Sequence, residues 1–372
     1  MKRISVRIRV IALMCALLAI IHVQAWACTG LTVPLADGTR VHGRTLEFGV
    51  EVTCSIAFIP RNYAFTGSVP GGGEGMRYKA KYAALGSINY DNLSIMDGIN
   101  EKGLSAGAFY FSTCADYAPL SEKNRASALS PVDFPNWILT QFATLDEVRA
   151  AIRQGKVAIV PTPVNGWGPV APPLHYIIYD KSGKSIVIEP VDGTLKVYDN
   201  PIGVITNSPG FDYMITNLRN YIHLSPQNSQ SLNLGGVTLL PFGQGTGLSG
   251  LPGDYTPPAR FVRAAFFSAN TPPAKDATEG IYQVFHLLNA FDIPLGITRS
   301  TDKGTVYYDY TQATVARDPY NLRYYFRMYN DQTIRMADLN RFDLNSTKAL
   351  TVSTMGLRQS TVDVTKDLKP VK

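Results

Sequence analysis

Cys28 fixes where any fold of this chain has to begin. It stands directly behind Ala25-Trp26-Ala27, a small–x–small tripeptide, and the residues up to that point read as an export segment. Lys2, Arg3, Arg7 and Arg9 form a positive n-region, and Val10 to Ile21 form an apolar h-region. Ala25 and Ala27 are the small residues a signal peptidase needs at its −3 and −1 sites. The apolar run is too short to span a bilayer comfortably, and no later stretch reaches about 18 consecutive apolar residues. Cleavage after Ala27 would leave residues 28–372 as one domain, exported to the periplasm or the medium, with a cysteine as its first residue.

Removing residues 1–27 also removes most of the charge imbalance. Four of the 35 basic residues and none of the 29 acidic ones lie there, so the net charge of +6 falls to +2. No basic block remains, which argues against a nucleic-acid partner. The remaining cysteines are Cys28, Cys54 and Cys114, too few for a disulfide scaffold. Cys54 and Cys114 could pair or stay as buried thiols. If they pair, Cys28 is the odd cysteine left over and so a candidate reactive thiol.

Short alternating runs separated by Gly, Asp or Asn turns predict strands in "GLTVPL", "RVHGRTLEFG", "VTCSIAFIP", "YAALGSI", "LSIMDGI" and "GLSAGAFYF". "HYIIYDKSGKSIVIEPVDGTLKVYDN" reads as a meander, and further strands follow in "TVYYDYTQATVA", "NLRYYFRMYN" and "TIRMADLNRFD". Helices are predicted where caps meet a 3.6-residue period. Thr144 and Glu147 box in "LDEVRAAIRQ"; Phe211, Met214, Ile215 and Leu218 form a stripe; Thr256-Pro257 opens "PPARFVRAAFF"; and Asp276 with Glu279 opens "ATEGIYQVFHLLNAF". Strand meanders between helix pairs imply α+β with antiparallel sheets covered by helices. Two Gly-rich stretches, 66–76 and 225–258, read as surface loops beside a substrate opening.

Several chemistries fall away. His42, His175, His223 and His286 show no ligand spacing, so neither a metal nor a cofactor is implied. Gly103-Leu104-Ser105-Ala106-Gly107 matches a nucleophile elbow, but a strand-like run follows Ser105 where the elbow needs a helix. Cys28 could end a lipobox, though Ala25 and Trp26 fit that signal poorly. As a free N-terminus it would carry its own base, because α-amino groups titrate near 7.7–8.0 and free thiols at about 8.5. Such a nucleophile needs no histidine. It does need a group to hold the amine, a cation for the thiolate and donors for the oxyanion.

Cys28-Thr29, "RTLEF", "DGINEKGLSAGAFYF", "VITNSPGFDY" and "LPGDYTPPARFVRAAFF" occur in an order that resembles the choloylglycine hydrolases, the bile salt hydrolase and penicillin V acylase group of N-terminal-nucleophile enzymes. The resemblance covers residues 28 to the final strands and implies a four-layer αββα sandwich. It implies Cys28 as nucleophile, Arg44 steadying its surroundings and Glu47, in place of the usual Asp, holding the α-amine. It also implies the Tyr110 backbone amide and the Asn207 side chain as oxyanion donors, and Arg260 as the cation near the thiol. Tyr110, where bile salt hydrolases tend to carry Asn, points toward the acylases. The implied partner is a small acyl amide: penicillin V, aryl or fatty acyl amides, or acyl-homoserine lactones. Conjugated bile salts are the alternative, and an inactive periplasmic binding or lipid-anchored protein is a third reading. A homo-tetramer is a further implication of the resemblance.

Overall fold

Backbone pairing sorts the alternating runs into two antiparallel sheets. The computed structural model describes residues 27–52, 54–89, 93–165 and 167–369; of the expected export segment only Ala27 is among them. The first sheet runs β1 (Cys28–Pro34), β2 (Arg40–Phe48), β13 (Thr305–Asp318), β14 (Arg323–Met328) and β15 (Asp331–Asp338), with β12 (Thr298–Asp302) on the N-terminal end of β13. The second runs β11 (Thr194–Asp199), β10 (Ser185–Val191), β9 (Leu174–Tyr179), β8 (Ser105–Tyr110), β7 (Ile95–Asn100), β6 (Ala84–Asn89), β3 (Cys54–Ile59) and β16 (Leu350–Ser353).

Helices cover the outer faces. α4 (Pro257–Asn270) and α5 (Ala277–Asn289) lie on β1, β2 and β13, while α1 (Phe134–Gln141) lies on β7 and β8 beside α2 (Leu145–Arg153). α5 buries Ile281, Val284, Phe285 and Leu288. At about 1.5–3 kcal/mol for each fully buried side chain of this size, that stripe is enough to hold the helix down. Both capping boxes form: the Glu147 amide donates to Thr144 Oγ1 at 3.2 Å, and the Glu279 amide to Asp276 Oδ1 at 2.9 Å. The result is the α–β–β–α sandwich that the sequence predicts.

One local expectation needs correction, and one helix was not expected. Residues 66–76 are not a loop but most of a hairpin, β4 (Ala64–Val69) and β5 (Gly73–Lys79), whose turn places Gly71 and Gly72 at φ of +80° and +75°. α1 carries no sequence signal because seven of its eight residues are buried, which leaves no polar face to mark a period. Residues 225–258 are mostly irregular, with a small exposed hairpin at Leu232–Leu234 and Val237–Leu239. Cys54 and Cys114 are free thiols, and burial pushes Cys54 up to about 11. Among the described residues no helix is long and apolar enough to cross a membrane.

Between the sheets the core is partly charged. Arg317 of β13 and Asp97 of β7 pair at 3.0 Å, both out of solvent, and the Tyr324 hydroxyl bridges Asp97, to which it donates at 3.2 Å, and the Ser87 hydroxyl at 3.1 Å. Burial pushes the Asp97 pKa up against the opposing pull of Arg317.

Candidate active site

Cys28 is the first residue of β1 and only 3% exposed. Its position follows from strand pairing. Cys28 lies opposite Leu46, and Gly30 opposite Arg44, so the alternation of β2 carries Arg44 beside the thiol. Gly30 also exchanges backbone hydrogen bonds with Ile205 at 2.8 and 3.1 Å. A Cβ on Gly30 would stand 2.9 Å from both Ile205 and the Phe109 ring, so only glycine permits this approach. The bridge sets Asn207, two residues on, against the start of β1.

The polar atoms of Cys28 are all engaged. Its Sγ accepts from Arg44 Nη2 at 2.8 Å, its amide donates to Asn207 Oδ1 at 2.8 Å, and its carbonyl accepts from Arg260 Nη1. The Arg44 guanidinium lies 4.0 Å from the centroid of the Phe109 ring and donates to the Ala108 and Thr45 carbonyls. Burial pulls its pKa down, but Cys28, Asp97 and Glu47 more than offset this, so it stays charged. Arg260 donates to Thr29 Oγ1 at 2.9 Å, Asn207 Oδ1 at 2.7 Å and the Tyr255 carbonyl at 2.9 Å. Burial lowers it to about 10, which leaves it protonated at neutral pH.

All six residues singled out in the sequence therefore converge, with two differences in detail. Arg44, rather than Arg260, meets the sulfur; Arg260 braces the backbone of Cys28 and the oxygen of Asn207. Asn207 Nδ2 donates to the Tyr110 carbonyl at 2.9 Å, so one of its two N–H groups is already committed. Glu47 is buried beside them. Its Oε1 accepts from Thr311 Oγ1 at 2.9 Å, and its Oε2 has no hydrogen-bond partner among the described residues. Burial pushes it up to about 7 against the pull of Arg260. Its backbone N–H donates to the Ala27 carbonyl at 2.9 Å.

Other contributors were not legible as motifs. His175 of β9 bridges Glu189 of β10 at 3.2 Å and the Thr206 carbonyl at 3.1 Å, with Phe111 stacked on its ring, and so steadies the segment that carries Asn207. Glu189 also accepts from the Phe211 amide at 2.9 Å, at the start of α3 (Phe211–Asn217). Ser105 is fully buried at the start of β8, with strand rather than helix after it. Two spaces flank this cluster of residues. One of about 500 Å³ opens between Ala27, Tyr110, Asn207, Tyr255, Ile293 and Asp309. The other, about 20 Å³, touches Cys28 itself and is walled by Leu46, Phe48, Met96, Trp167 and Leu174.

Residues 28–352, starting at this cysteine, match the family described as linear amide C–N hydrolases, choloylglycine hydrolase family. The chain belongs to the choloylglycine hydrolase family. It is 34% identical over 327 residues to the bile salt hydrolase/transferase of Clostridium perfringens, covering 87% of this chain and 96% of that one. A solved variant of the conjugated bile acid hydrolase from Clostridium perfringens superimposes with a TM-score of 0.80 at 32% identity, over 91% of this chain and 99% of that one. The penicillin V acylase of Agrobacterium tumefaciens shares the fold, with a TM-score of 0.70 at 20% identity over 93% and 98% of the two chains. As a choloylglycine hydrolase family member, the chain is an α+β sandwich enzyme of the linear amide hydrolase class.

Proposed function

We propose that this chain is an exported amidase whose nucleophile is Cys28, freed at its amine by removal of residues 1–27. The observation that carries the reading is the thiol held at 2.8 Å by a buried, charged arginine while its own nitrogen rests on Asn207. A positive neighbour favours thiolate. The free amine takes the thiol proton as Sγ attacks the amide carbonyl, and returns it to the departing amine. The thioester left on Cys28 is then hydrolysed by a water that the same amine deprotonates. The second N–H of Asn207 Nδ2 and the Tyr110 backbone amide receive the oxyanion. Loss of Ala27 also releases the Glu47 N–H, and the unpartnered Glu47 Oε2 is available to hold the new ammonium.

The acyl group we assign is an aryl or fatty chain, as in the penicillin V acylases, with acyl-homoserine lactones in the same class. Tyr110 at the oxyanion position favours that reading. The 34% identity to a bile salt hydrolase/transferase favours the second, hydrolysis of conjugated bile salts. A panel of acyl amides, with and without thiol alkylation, tests the proposal. Alkylation is expected to abolish turnover of every amide cleaved, and alkylated enzyme with full activity would refute it. Asn207→Ala is expected to lower kcat about 10²–10³-fold, or roughly 2.7–4 kcal/mol in the barrier. A change confined to KM would remove Asn207 from the oxyanion site.

A further inference from the structure

Ala27 shows where an acyl group goes. It is itself an acyl group, carried on the Cys28 nitrogen, and it stands in the wall of the mostly apolar space of about 500 Å³. The small space that touches Cys28, at about 20 Å³, has room for about one water and admits no acyl chain. An acyl group transferred to Sγ of the same residue therefore enters the large space, and the groups in its wall read that chain.

One of those groups is a buried carboxylate. Asp309 of β13 is 4% exposed. Its backbone carbonyl accepts from Thr298 Oγ1 at 2.8 Å, while its carboxylate has no hydrogen bond or ion pair among the described residues. The fold keeps room for it: a Cβ on Gly49 would stand 2.9 Å from Asp309 Oδ1. Burial alone pushes it up to about 6, so at neutral pH it is mostly ionised and accepts hydrogen bonds. The other charges of this wall are engaged elsewhere. Arg260 stays positively charged, and its Nε, Nη1 and Nη2 donate to Tyr255, Cys28, Thr29 and Asn207. Asp254 is exposed, and its Oδ1 accepts from the Thr256 amide and hydroxyl.

The strand ladder sets how far Asp309 lies from the nucleophile. Tyr310 pairs with Phe48, and Leu46 with Cys28. Two strand spacings and about three residues of rise thus separate Asp309 from Cys28, or ~14 Å between Cα atoms. A medium-length acyl chain spans that gap. A plain hydrocarbon filling the space would strip water from the carboxylate and give nothing in return. A hydroxyl at the right depth replaces that water with a charge-assisted hydrogen bond. Sites with a buried polar group of this kind reject analogues that lack its partner.

We propose that Asp309 determines specificity on the acyl side: it accepts a hydrogen bond from a hydroxyl far along the acyl group, and so selects hydroxylated acyl amides over plain hydrocarbon ones. This rests on the amidase reading and narrows its substrate class. It places no charge requirement on the amine component.

The test uses the processed enzyme and four amides of glycine, with decanoyl, ω-hydroxydecanoyl, ω-methoxydecanoyl and α-hydroxydecanoyl groups. The parent is expected to show the highest kcat/KM for the ω-hydroxyl chain, at least tenfold above its methyl ether, which fills the same space without a donor. The α-hydroxyl chain is expected to gain nothing over decanoyl. Asp309→Leu is expected to lower the value for the ω-hydroxyl chain and raise it for decanoyl by about tenfold each. A merely structural role would move all four in one direction, and that result would overturn the proposal. If the variant does not fold, the parent series decides: an ω-methyl ether cleaved as well as the alcohol, or an equal gain from the α-hydroxyl, would overturn it. Cleavage of decanoylglycine at or above the rate of the ω-hydroxyl chain would remove the role of Asp309 and leave the amidase reading intact. Failure to cleave any of the four, with no acyl adduct on Cys28, would overturn the amidase reading itself.

Discussion

Glu47 shows how one added methylene changes the chemistry of a buried site. The resemblance leads to an Asp here; the longer Glu47 reaches Thr311 with one oxygen and leaves the other without a hydrogen-bond partner among the described residues, next to the Ala27–Cys28 segment. In a chain that still carries Ala27, burial has raised its pKa from an ordinary 4.5 to about 7. The native state then binds the proton more tightly than the unfolded state. Its stabilising effect is complete below about pH 4.5 and is lost as pH rises through about 7. Glu47→Gln in a form retaining Ala27 is expected to match its parent at pH 4 and exceed it at pH 8 by up to about 3 kcal/mol in urea unfolding. A stability difference independent of pH would contradict this. In the processed enzyme the new ammonium would supply the missing partner, and the same substitution is expected to lower activity.

At the level of elements, the two sheets are joined by the buried Arg317–Asp97 pair. A buried ion pair adds little over an apolar one, but removing one partner strands the other charge. Asp97→Ala is expected to destabilise the fold by about 3–5 kcal/mol, and Asp97→Leu with Arg317→Met to recover most of the loss, as thermal unfolding would report. A single variant as stable as the parent would show that the charges are not the clamp. Much of this layer was legible in the sequence. Alternation and Gly or Asn turns marked the strands, and capping boxes marked α2 and α5. α1 was not legible because burial on every side erases periodicity. The β4–β5 hairpin was hidden because Thr66, Ser68, Glu74 and Arg77 give it a polar outer face. Among site residues, Cys28, Arg44, Glu47, Tyr110, Asn207 and Arg260 stood in recognisable motifs. His175, Glu189 and Asp309 did not, because their relation to Cys28 arises from cross-strand pairing over long separations. Asp309 within "TVYYDYTQATVA" is indistinguishable from a solvent-facing strand residue until β12 and Gly49 close over it.

At the scale of the whole molecule, the small hairpin after α3 and the residues just beyond it form an exposed apolar feature among the described residues. Leu232, Leu234, Val237, Leu240 and Phe242 all face solvent. Contiguous apolar surface of this kind marks an interaction site. Together with the tetramer that the resemblance implies, it predicts self-association through this hairpin. Sedimentation is expected to give a multiple of the chain mass, and Leu234→Asp with Phe242→Asp to reduce it to one chain. A monomeric parent would refute that assembly.

All of the chemistry depends on Cys28 being the first residue of the working enzyme. The most direct measurement is mass spectrometry of exported, active protein quenched during turnover of a slow acyl amide. The account predicts a chain beginning at residue 28 and carrying one hydroxylamine-labile acyl group on the Cys28 sulfur. Active protein that begins at another residue, or an acyl group trapped elsewhere, would contradict it.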